Sequence, residues 1–164
     1  MITRRAFLGG SAAALLAPAA LARALEFEAA LEKSGLVYVS PLLSSGKEST
    51  CHGEVWFGWI DGSVLVITGA ERWKARALTK GLDRARIWVG DHGPWKKTLG
   101  RNESFREAPS FEAGAARVEG KPALVDQLLE FYGEKYPDEI GKWRDKMRGG
   151  YADGSRVLIR YTPL

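Results

Sequence analysis

The dipeptide Asp61-Gly62 constrains this chain more than any other feature. It sits between Glu54-Val55-Trp56-Phe57-Gly58-Trp59-Ile60 and Ser63-Val64-Leu65-Val66-Ile67-Thr68. Asp and Gly both tolerate positive φ, and two such residues between β-branched and aromatic runs specify a tight hairpin. The first strand is expected over 49–60 and its partner over 63–68. Four further strands follow from β-branched and aromatic runs: 36–40, stopped by Pro41, then 84–90, 111–119 and 156–161. Short helices are expected over 27–33, 71–78 and 138–147. A longer one over 121–136 opens at Pro122, with Leu124, Leu128, Leu129 and Tyr132 spaced for a buried face. Residues 91–102 read as a loop, and Gly149-Gly150 with Asp153-Gly154 frames a turn. Six strands in mostly antiparallel order with few helices indicate a small β-barrel.

The N-terminus is expected to lie outside that fold. Arg4-Arg5 next to Phe7-Leu8, a modest apolar stretch, and small residues at Ala20, Ala22 and Ala24 form a twin-arginine export signal. The apolar stretch is too short and too rich in Ala and Gly for a membrane span, which needs about 20 strongly apolar residues. The chain therefore divides into a signal over 1–24 and one domain over 25–164. The expected location is periplasmic or otherwise extracytoplasmic, without stable membrane insertion. The twin-arginine machinery moves folded proteins, so a cofactor inserted before export becomes a natural expectation.

Charge narrows the function classes. The 24 basic and 20 acidic residues give a net charge of +4, but Arg4, Arg5 and Arg23 belong to the signal. Without them 21 basic residues face 20 acidic ones, which is too balanced for a nucleic-acid surface. Cys51 is the sole cysteine, so no intramolecular disulfide can form. Its expected place is buried in the 49–60 strand; a reactive thiol and an intermolecular bridge are the alternatives. Cys51, His52 and His92 do not have the spacing of a metal site.

From Tyr38 to Val89 the chain resembles the pyridoxamine 5′-phosphate oxidase-like split barrels, which include flavin- and deazaflavin-dependent oxidoreductases. The resemblance rests on Glu54 to Trp59, Asp61 to Val66, Thr68-Gly69-Ala70-Glu71-Arg72-Trp73-Lys74, and Arg84 to Val89. It implies a mainly β fold with flanking helices, a six-stranded Greek-key split barrel. It further implies a homodimer with FMN at the subunit interface. Deazaflavin and haem are the alternative cofactors. Where the family often carries Ser two residues before the lysine, this chain has Arg72, itself a bidentate phosphate ligand.

Lys74, Arg72 and Thr68 are the candidate phosphate ligands, placed where a strand runs into a helix N-terminus. Trp56, Trp59 and Trp73 could wall an isoalloxazine ring or pack the core. His52 shares strand parity with Trp56 and could hydrogen-bond a cofactor, donate a proton, or serve as a buried structural residue. His92 is a further candidate at the site's edge. The basic segment Lys142-Trp143-Arg144 and Lys146 to Arg148 reads as a solvated face. The expected function is an exported FMN-dependent oxidoreductase acting on a small molecule; the alternative is a non-catalytic binding protein for flavin or haem.

Overall fold

The computed structural model describes residues 26–96 and 101–164, so the expected signal over 1–24 lies outside the described residues. A first helix, α1, occupies residues 26–33. Then come β1 (Val37–Pro41), β2 (Gly53–Val55), β3 (Gly58–Ile60), β4 (Ser63–Gly69), α2 (Trp73–Thr79) and β5 (Arg84–Val89). A 3₁₀ turn (Ser104–Glu107) leads to β6 (Ser110–Val118), and α3 (Pro122–Lys135), α4 (Pro137–Ile140), α5 (Arg144–Ala152) and β7 (Arg156–Pro163) complete the chain.

The strands form one sheet in the order β2-β1-β5-β6-β7-β4-β3, antiparallel throughout. Its two edge strands, β2 and β3, are neighbours in sequence, separated only by Trp56 and Phe57. Seven strands laid flat would put those edges about 29 Å apart at 4.8 Å per strand. The three-residue step from Val55 to Gly58 spans at most about 11 Å. The sheet must therefore curl until its edges approach each other, which makes it the open side of a barrel.

This geometry corrects the strand count. The single strand expected over 49–60 is broken at Trp56-Phe57, so seven strands stand where six were expected. Cys51 and His52 precede β2 rather than lying in a strand. The reason is topological: one stretch of chain serves both edges of the sheet and must leave the first to reach the second. At the crossing the backbone has no neighbouring strand, and two tyrosines of the α3 end take over. The Phe57 N–H donates to the Tyr136 hydroxyl at 3.1 Å, which in turn donates to the Gly35 carbonyl at 2.8 Å. Tyr132 donates to the Trp56 carbonyl at 3.0 Å.

The hairpin forms as expected, with Asp61 at φ 50° and Gly62 at φ 65° and Ile60 paired to Ser63. Val64 and Val66 of β4 and Val157, Ile159 and Tyr161 of β7 fill the barrel interior, with Leu31 of α1 among them. Leu65, Ile67 and Leu158 point the other way, under Val125, Leu128, Leu129 and Tyr132 of α3. Burial on both faces explains why β4 reads as an unbroken apolar run. A third, smaller cluster joins Tyr38, Trp95 and Phe105 outside β1. The helix expected over 138–147 is instead two, α4 and α5, and α5 runs through Gly149-Gly150 where a turn was expected. Among the described residues no helix is long and apolar enough to cross a membrane.

Candidate functional site

Where β4 ends and α2 begins, the chain faces the segment that leads into β2. Between them is a cleft of about 560 Å³ lined by Cys51, His52, Gly53, Glu54, Thr68, Arg72, Trp73, Lys74 and Trp95, among others. That volume falls within the range of small-molecule sites, about 300–1,000 Å³. Five of the eight residues singled out in the sequence thus converge on one cleft, although they come from two separate segments. A further one, Trp56, lines an adjoining cleft that shares Thr68 and Arg72 with the first.

Lys74 is the central cation. Burial, reinforced by the charge of Arg72, lowers its pKa from 10.5, while Cys51 and Glu54 act in the opposite direction. Its amine lies against Gly53, where a Cβ would come within 2.7 Å of Nζ. Neither Lys74 nor Arg72 forms an ion pair among the described residues, in contrast to Arg84, Arg86, Arg106, Arg144 and Arg148. Two unpaired cations in a half-enclosed cleft constitute a receptor for an anion. The helix contributes little, since α2 has only seven residues and Arg72 at its N-cap makes no side-chain capping bond. The side chains carry the site. Trp73 is fixed at its edge by an indole N–H donated to Ser49 Oγ at 3.0 Å.

His52 borders the cleft but is bound within the protein. Arg106 Nη2 approaches Nε2 at 3.1 Å, and Nδ1 lies 2.6 Å from Ser40 Oγ. A guanidinium can only donate, so Nε2 accepts and the proton belongs on Nδ1, an assignment made from its partners. The neutral ring is held edge-on to Trp95, their centroids 5.5 Å apart. Burial, followed by the Arg106 charge, lowers its pKa below 6.5, with Glu48 opposing. The unfolded chain therefore takes up this proton at higher pH than the folded one. Stability associated with His52 is complete above pH 6.5 and is lost as the pH falls towards the folded-state pKa. Thermal midpoints between pH 7 and pH 5 are expected to fall in the parent protein and to flatten in His52→Gln; equal slopes would remove His52 as the cause.

The parity argument that set His52 beside Trp56 does not survive the break in the strand. Trp56 instead stacks on Tyr136, centroids 4.4 Å apart and planes 9° from parallel, with its carbonyl held by Tyr132. Trp59 packs edge-on against Phe27 at the barrel interior, 6.4 Å between centroids, away from both clefts. His92 is exposed beside Tyr38, whose hydroxyl its N–H meets at 3.0 Å. Cys51 is half-buried and lines the cleft near Lys74, a placement the strand assignment concealed. Glu54, Val55, Glu71, Trp95 and Lys96 complete the lining with Gly53; only the fold brings the loop after β5 over β2, with the Trp95 N–H donated to Glu54 at 3.2 Å.

A larger cavity of about 630 Å³ lies between the end of β6, the start of α3 and α5. Its charges are mostly spent on each other, Arg148 on Asp126 at 2.8 Å and Arg117 on Glu119 at 3.7 Å. The Lys74 cleft is the stronger candidate on charge. Among the described residues no cluster of three or more His, Cys, Asp or Glu side chains is placed to hold a metal ion.

No protein-family model and no curated protein matches the chain. Solved structures do. HutZ, the haem storage protein from Vibrio cholerae, is 17% identical with a TM-score of 0.56, covering 85% of this chain and 89% of that one. A putative pyridoxamine 5′-phosphate oxidase from Listeria innocua is 13% identical with a TM-score of 0.52, covering 85% and 92%. An FAD-binding protein from Mesorhizobium loti is 13% identical with a TM-score of 0.53, covering 85% and 88%. Identities this low bear on architecture alone, and on architecture they agree: the chain has the split-barrel fold of these proteins.

Proposed function

We propose that this protein is an exported, flavin-binding split barrel that acts as an oxidoreductase on a small molecule. The observation that carries the reading is the pair of unpaired cations, Lys74 and Arg72, beside the Thr68 hydroxyl in one cleft. Those three groups would hold the phosphate of FMN or a related flavin, with Trp73 as an adjacent flat wall. Gly53 fits the same role, because a side chain there would collide with the Lys74 amine. A bound flavin would supply hydride or electron transfer, and the protein's part would be to bind it, orient it and shape its electrostatics. Three of the split barrels this chain is similar to are described as an FAD-binding protein, a putative pyridoxamine 5′-phosphate oxidase and a haem storage protein, which supports a cofactor role of this kind.

Haem fits less well. His52 has both nitrogens engaged within the protein, and His92 lies outside the cleft, so neither histidine offers an axial ligand there. The proposal includes twin-arginine export to the periplasm, cofactor loading before translocation, and a homodimer in which a second copy would help to enclose the open cleft. Export of a folded, loaded protein is consistent with a chain whose single cysteine leaves it no internal disulfide.

The test is an absorbance spectrum of protein purified without added cofactor, with mass spectrometry of any chromophore released on denaturation. Released FMN or deazaflavin, or uptake of added FMN by colourless protein, is the expected result. A Soret band would replace the flavin with haem. Folded protein that is colourless and takes up no flavin would overturn the proposal.

A further inference from the structure

On the far side of Arg72 lies the adjoining cleft, about 570 Å³, between the end of β4, the barrel crossing and α5. Its lining combines two guanidiniums, Arg72 and Arg156, with the indoles of Trp56 and Trp143. Neither arginine is ion-paired among the described residues, while the arginines of the adjacent helix are: Arg144 with Glu130 at 2.7 Å and Arg148 with Asp126 at 2.8 Å. Trp143 is the one large aromatic side chain among those described that stands out as exposed, at 40%. The sequence alone made its segment a solvated basic face; the fold turns this indole onto a cavity.

Arg156 is placed there by a specific feature of α5. Gly150 is buried within the helix, and a Cβ on it would lie 2.8 Å from both Cγ and Cδ of Arg156. Glycine inside a helix is destabilising relative to alanine. Here it lets the arginine stem cross the helix surface and bring its guanidinium over Trp143, 5.7 Å from the ring centroid. An arginine so supported retains its fork of donors for a flat oxyanion. The indoles offer surface for a ring, and the two guanidiniums offer charge-assisted donors for an oxyanion attached to it.

We propose that this cleft binds an aromatic carboxylate, its ring against Trp143 and its carboxylate between Arg72 and Arg156. The inference stands on these residues and does not require a flavin next door. Should the Lys74 cleft hold one, the two ligands would be neighbours across Thr68 and Arg72, which line both clefts.

The probe is 2-naphthoate, titrated by calorimetry into the full domain, with 2-naphthol and acetate as partners lacking the charge or the ring. Naphthoate is expected to bind more tightly than either. Losing one charge-assisted contact should weaken it about tenfold or more in Arg156→Met. Trp143→Ala should weaken it similarly; this exposed site tolerates truncation, and it does not border the larger cavity that Arg156 also lines. Lys74→Met should leave naphthoate binding unchanged, which separates this result from any failure of the flavin proposal. Naphthoate binding that is absent, no better than that of naphthol or acetate, or as tight in Arg156→Met and Trp143→Ala as in the parent protein would overturn the assignment.

Discussion

Replacing Tyr136 with phenylalanine is expected to destabilise the fold by about 2–4 kcal/mol, since it orphans two backbone groups at about 1–3 kcal/mol each. Those groups are the Phe57 N–H and the Gly35 carbonyl, both served by the one hydroxyl. The ring itself remains, so the stack on Trp56 and the packing under α3 are retained. The location explains the size of the effect: Phe57 is fully buried at the point where the chain leaves one sheet edge for the other, and no strand can satisfy it. Tyr132→Phe removes the bond to the Trp56 carbonyl and should cost about 1 kcal/mol. Urea unfolding measures both, and an unchanged slope with a lower midpoint identifies a native-state loss. A Tyr136→Phe loss below about 0.5 kcal/mol would mean that water reaches the Phe57 N–H and that the hydroxyl does not hold the crossing closed.

Lys74→Met should weaken FMN binding about tenfold to a hundredfold, the range for one charge-assisted hydrogen bond of about 1.5–3 kcal/mol. Methionine keeps the length of the stem and removes the charge. Because burial already disfavours the ammonium, the variant should fold at least as stably as the parent. The sharper reading comes from riboflavin, which lacks the phosphate. In the parent protein FMN should bind more tightly than riboflavin, and in Lys74→Met that preference should shrink by the same tenfold to hundredfold, the remainder resting on Arg72 and Thr68. Gly53→Ala should reduce FMN affinity in the same direction without changing any charge, by displacing the amine that lies against residue 53. Equal affinities for FMN and riboflavin in the parent would remove the phosphate from this cleft. Loss in Lys74→Met without loss in Gly53→Ala would show that the amine can shift and still bind.

Most of the local structure was legible in the chain. Asp61-Gly62 marked its hairpin because few residues accept positive φ, and the structure has both there in that region. Leu128, Leu129 and Tyr132 marked the buried face of α3 through their spacing, and all three are fully buried. Thr68, Arg72, Trp73 and Lys74 were legible as a group because they fall within seven residues where a strand gives way to a helix. Gly149-Gly150 misled, since glycine pairs usually end helices, yet here one of them makes room for Arg156.

What the sequence determined by itself is the set of short-range choices: turns fixed by φ, strands and helices fixed by apolar period, and a cationic segment at the end of β4. The tertiary structure alone decided that one predicted strand becomes two, because a single stretch of chain serves both edges, β2 and β3, of the curled sheet. It also decided which side chains share a cavity. Lys74 meets Gly53, Arg72 meets Arg156, and Trp56 meets Tyr136 across separations of 21 to 84 residues in the chain. No local propensity encodes such meetings; they follow from closing the barrel and packing α3 and α5 against its outer face.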